Sequence, residues 1–95
     1  MLVQLELFAR FKADIAVPNV NTQGELANVL SESGAFSDSD QQRAISEIEE
    51  ITGSKEIGVG IDNILSGIET AKQDQDVPGR FARYMSSAIA ANKAF

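Results

Sequence analysis

The chain contains no cysteine, no histidine and no tryptophan. Without cysteine it can form no disulfide and offers no thiolate to zinc or to a substrate. Without histidine it lacks the commonest metal ligand and the side chain best suited to proton transfer near neutral pH. Tyr84 is the single tyrosine, and five phenylalanines complete the aromatic set. Any stacking on a base or sugar would fall to those residues. No apolar run reaches the ~18 residues of a membrane-crossing helix. The opening Met1-Leu2-Val3-Gln4-Leu5-Glu6 has no basic region and places Glu6 where a signal peptide keeps an apolar core. No secretory signal is expected. A cytoplasmic protein without metal or cofactor fits these absences.

What is present is an acidic chain of 95 residues, enough for one domain spanning 1–95. A domain of this size buries roughly 60–65% of the surface its unfolded chain exposes. Its hydrophobic fraction of 43% is enough to offset chain entropy, so wholesale disorder is not expected.

The net charge of −6 is unevenly spread. Residues 1–35 carry −2, residues 36–76 carry −7, and residues 77–95 carry +3 from Arg80, Arg83 and Lys93 with no acid. The acidic middle repels phosphates and anionic lipid heads. The basic end suits an acidic partner, or the acidic middle of its own or a neighbouring chain.

Residues 3–17 alternate. Val3, Leu5, Leu7, Ala9, Phe11, Ala13, Ile15 and Val17 are apolar, with mainly polar residues between them, interrupted by Phe8 and Ala16. Alternation marks a half-buried strand. The residue types favour a helix instead, and fifteen residues is long for a strand. The pattern predicts an extended strand or arm over about 3–11, with a helix over about 3–16 as the alternative. A lone strand leaves open backbone groups, and a helix here is apolar on nearly every side. Both outcomes point to association, so residues 1–21 are a candidate association arm, with Val3, Leu5, Leu7, Phe8 and Phe11 as candidate contacts.

Beyond Pro18 and a loop to Asn21, about four helices are expected, at roughly 22–33, 38–52, 55–73 and 78–92. Thr22-Gln23-Gly24-Glu25 has the spacing of a capping box, and Gly34 is a natural stop. Ser37 or Ser39 can cap the second helix, whose stripe is Ile45, Ile48 and Ile51, before Gly53 ends it. Ile57, Ile61, Ile64, Leu65 and Ile68 define the third. Gly58 and Gly60 weaken its first turns by about 1 kcal/mol each. Ile57–Ile61 also alternates, but the isoleucine stripe runs on past it and favours the helix. Gly60 and Gly67 flank that stripe and would admit a second helix closely. Asp76-Val77-Pro78 looks like a helix start, followed by Phe81, Tyr84, Met85, Ala88 and Ile89. The fold class expected is therefore mainly α, a small bundle.

Sites of chemistry are sparse. Glu47, Glu49, Glu50 and Glu56 cluster in sequence, but no calcium-loop spacing accompanies them, and a solvated helix face explains them. Gly58-Val59-Gly60 lacks the third glycine of a dinucleotide fingerprint and the lysine of a P-loop. No Gly-x-Ser-x-Gly and no Ser-x-x-Lys is present. No enzyme is expected. Arg80 and Arg83, one helical turn apart beside Tyr84, are the best candidates for polar recognition of carboxylates or phosphates.

The expected function is a non-catalytic protein–protein interaction or assembly subunit that self-associates through its N-terminal segment. Glu47, Glu49, Glu50, Arg80, Arg83 and Tyr84 are its candidate partner contacts beyond the arm. The alternative is an acidic inhibitor that occupies a basic site on a nucleic-acid-binding protein, a device of viral or phage proteins. Direct binding to nucleic acid through three cations would be weak.

Overall fold

The computed structural model describes residues 19–93. Val3, Leu5, Leu7, Phe8 and Phe11 lie outside the described residues, as does the choice between arm and helix. The described chain runs β1 (Asn19–Val20), α1 (Gln23–Ser33), α2 (Asp38–Thr52), β2 (Val59–Gly60), α3 (Ile61–Lys72) and α4 (Val77–Lys93). It is mainly helical, with the four helices expected.

Local chemistry sets most of the boundaries. Thr22 caps α1 reciprocally: the Glu25 amide donates to Thr22 Oγ1 at 3.1 Å, and the Thr22 amide donates to the Glu25 carboxylate at 3.1 Å. Gly34 closes the helix in the left-handed region at φ 70°, which glycine enters without the Cβ penalty. Of the two candidate serines, Ser37 caps α2, accepting from the Asp40 amide at 3.2 Å. Gly53 ends it, again left-handed.

The third helix starts later than expected, at Ile61 and not near residue 55. Gly58 has φ 64°, which breaks any helix entering from Ser54. Residues 59–60 form a short strand, and Ile57 and Val59 are both buried ahead of α3. The strand's backbone groups pair antiparallel with β1, Asn19 opposite Gly60 and Val20 opposite Val59. The Ile57 amide also donates to the Asn21 carbonyl at 3.0 Å. What looked like loop from Pro18 to Asn21 thus contains a strand, and its partner is the glycine-flanked segment before α3. The sequence signal was divided: helical spacing of isoleucines and strand alternation coincide over these residues. Local hydrogen bonding decided in favour of the strand.

The core forms where α4 packs against α2 and α3, with α1 laid against α2 and β2 touching α3 and α4. Leu26, Leu30, Ala44, Ile48, Val59, Ile64, Phe81 and Met85 are almost wholly enclosed. Phe36, in the turn before α2, meets Phe81 edge-on with ring centroids 5.3 Å apart. Ser86 is the one buried polar residue of the described core. Its hydroxyl donates back to the Ala82 carbonyl at 2.7 Å, which satisfies it within the helix.

The expected α2 stripe is partly corrected. Ala44 and Ile48 are buried, Ile45 is half-buried, and Ile51 is 56% exposed. Ile51 lies beside α4 in a surface depression that it shares with Arg83, Ser86, Ser87 and Ala90. Leu65, expected in the α3 stripe, is likewise half-exposed. Gly67, Ile68 and Ala71 take the inward positions with Ile64.

Candidate functional site

Arg80, Arg83 and Tyr84 come together, as their spacing suggested. They line a shallow, open groove of about 580 Å³ between α3 and α4. Ser87, Ala88 and Ala91 continue its floor along α4, and Asn63 of α3 forms the far wall. Asn92 closes one end and donates to the Gly58 carbonyl at 2.9 Å. The α4 members follow from helical geometry, since positions three, four, seven and eight apart share a face. Asn63 was not legible as part of the site, because it joins only when α3 and α4 pack.

Gly67 sets the depth of that packing. A Cβ there would lie 2.8 Å from Tyr84 Cδ1 and 3.3 Å from Phe81 Cε1. The two rings therefore lie directly on the α3 backbone. The expectation of close helix approach holds at Gly67, whereas Gly60 belongs to the strand and precedes α3 as its N-cap.

Asp76 organises the entry to α4. Its carbonyl accepts from the Arg80 amide at 2.9 Å, and its side chain accepts from the Gly79 amide at 3.3 Å. Such a cap contributes roughly 0.5–2 kcal/mol. The same carboxylate takes a hydrogen bond from Arg43 of α2 at 3.1 Å. Arg43 also binds Glu47 at 3.1 Å. The Glu47 hydrogen bond first, and the charge of Asp76 next, raise the Arg43 pKa above its ordinary value. The guanidinium is exposed, so these pairs tie α2 to the start of α4 without dominating stability.

The acidic candidates do not form one site. Glu47 is held by Arg43, and Glu49 accepts from the Gln23 side chain of α1 at 2.8 Å. Glu50 is exposed. Glu47 is thus paired within α2, and Glu49 alone of the three links two helices. The arginines of the groove differ. The ion pairs among the described residues use Arg43 and Lys72, and neither Arg80 nor Arg83 has an acidic partner there. Helix electrostatics do not explain their placement either. Cations are favoured near a helix C-terminus, yet Arg80 and Arg83 lie in the first two turns of α4.

Fold and groove together define a small helical domain with a cationic, partly apolar groove on an otherwise acidic body. The chain is 37% identical over 90 residues to the vesicular-fusion protein sec18 of Schizosaccharomyces pombe, and that match covers 94% of this chain and 11% of the relative. It is 32% identical over 88 residues to the vesicular-fusion protein SEC18 of Saccharomyces cerevisiae, covering 93% of this chain and 11% of that protein. The chain thus spans about a tenth of the length of the curated relatives it matches. No family model matches it, and no solved structure does. Neither relative comes from a virus or a phage, so the expected viral or phage origin gains nothing from them. Among the described residues no helix is long and apolar enough to cross a membrane.

Proposed function

We propose that this chain is a helical interaction domain of a vesicular-fusion protein like sec18, acting through contacts with other proteins and not through chemistry of its own. The supporting observation is a match that runs over 94% of the chain to a protein of that name. The absence of histidine and cysteine from the whole sequence narrows the chemistry open to it. A cytoplasmic location belongs to the same proposal. The alternative of an acidic inhibitor is less favoured, since Glu47 and Glu49 are engaged within the fold.

The test is an exchange. The matching segment of S. pombe sec18 is replaced by this chain, and vesicular fusion is measured in cells that depend on the chimera. Fusion near the wild-type level is expected, with loss when the segment is deleted. A chimera that accumulates to normal levels yet supports no fusion would refute the proposal.

Self-association through residues 3–17 is part of this proposal, motivated by their apolar alternation. Sedimentation equilibrium of the full chain should give a mass that rises with concentration. Substituting aspartate for Leu5 and Leu7 should return it to the monomer mass. A constant monomer mass for the unsubstituted chain would remove self-association and leave the interaction domain standing.

A further inference from the structure

We infer that the groove between α3 and α4 is a docking slot for an acidic, amphipathic segment of a partner protein, with Arg80 and Arg83 receiving its carboxylates and Tyr84 its apolar side chain. This rests on the proposed role as an interaction domain and names the chemistry of the partner. Three features of the groove support it. Both arginines line it and neither has an acidic partner among the described residues. Tyr84 is half-buried in its floor, beside Ala88 and Ala91. The helix that carries the arginines has no acid in its first turn, and the carboxylate that caps it, Asp76, is engaged by the Gly79 amide and by Arg43.

Charge complementarity selects the occupant. Guanidinium groups bind carboxylates through paired hydrogen bonds. Arg80 and Arg83 are one helical turn apart, so carboxylates three or four residues apart on a partner helix match their spacing. The apolar floor between them suits a leucine or similar side chain on the same face. A nucleic acid fits less well. It would bring a row of phosphates against a chain of net charge −6, and few counterions would be released by two arginines. A short segment touches only the groove and avoids the acidic body.

The experiment uses the full 95-residue chain and a fluorescent peptide of about 15 residues, long enough for a helix. The peptide is made of glutamate, leucine and alanine, with glutamates three and four residues apart. Binding is followed by anisotropy. Arg80→Glu and Arg83→Glu should each weaken it at least about tenfold, as should glutamine in place of the peptide's glutamates. Arg83→Gln, an uncharged change at an exposed position, should weaken it less and guards against misfolding, which circular dichroism checks. Lys55→Glu, away from the groove, should leave affinity unchanged. Equal affinity for the glutamate and glutamine peptides would overturn the inference, as would indifference to both arginine reversals. Displacement by inorganic pyrophosphate or duplex DNA at concentrations no higher than the peptide's own would also overturn it, in favour of a phosphate site. If the sec18 chimera works while the peptide does not bind, this inference fails and the interaction domain survives.

Discussion

Replacing Phe81 with alanine should cost about 3–5 kcal/mol of folding stability. The side chain is fully enclosed, and it is the contact point of three elements. It meets Phe36 edge-on at 5.3 Å from the turn before α2. It lies within 3.3 Å of the position a Cβ on Gly67 would take in α3. Truncation loses the transfer energy of the ring and leaves a cavity that neighbours on three sides cannot fill together. A chain of 95 residues has only about 5–14 kcal/mol in total, so the variant should be largely unfolded on modest heating. Urea unfolding measures it: the midpoint should fall sharply with little change in slope. The half-exposed Leu65 is the internal control, and Leu65→Ala should stay within roughly 0.5–1 kcal/mol. A Phe81→Ala loss no larger than the Leu65→Ala loss would mean that α4 does not pack as described.

The second large effect is expected at Gly67. A valine there should cost about 2–3 kcal/mol, because overpacking a closed contact forces side chains off their rotamers or the backbone apart. Its Cβ alone would meet the Tyr84 ring at 2.8 Å. Phe81 has no space to retreat, whereas half-buried Tyr84 can turn toward solvent at the expense of the groove. The strain should therefore be relieved by shortening Tyr84. A double-mutant cycle with Tyr84→Ala should give a coupling of about 1 kcal/mol or more, with the second change recovering part of the loss. Strict additivity would show that the two side chains do not share the contact.

Much of this fold is legible in the sequence because its signals are local. Thr22 with Glu25, Ser37, Gly34, Gly53 and Asp76 each act within four residues of themselves. They place the helix ends by hydrogen-bond chemistry that does not depend on packing. The segment from Ile57 to Ile61 was ambiguous because its isoleucines satisfy two periods at once. Only the positive φ at Gly58 and the pairing with Asn19 and Val20 separate them. Ile51 and Leu65 fit the helical stripes yet are exposed, since burial depends on how the helices pack and not on periodicity alone. In the groove, Arg80, Arg83 and Tyr84 could be grouped from helical spacing. Asn63 could not, because its place depends on how closely Gly67 lets two helices approach. That the arginines have no acidic partner among the described residues was also invisible, since an acidic chain offers many candidates until contacts are known.

The arrangement of α4 has a consequence for how the protein is made. Its inward face completes the enclosure of side chains from α2, α3 and β2, yet it is the last of these elements to leave the ribosome. At roughly 5–20 residues per second, the stretch from Ile64 to Lys93 takes about 1.5–6 s to synthesise. During that interval Ile48, Val59 and Ile64 have no α4 against which to bury. Vectorial synthesis therefore yields a nascent chain whose apolar groups stay available to chaperones until α4 emerges. The sticky phase ends only when Phe81 and Met85 arrive, so a ribosome stalled before Val77 would hold a chain unable to complete its fold.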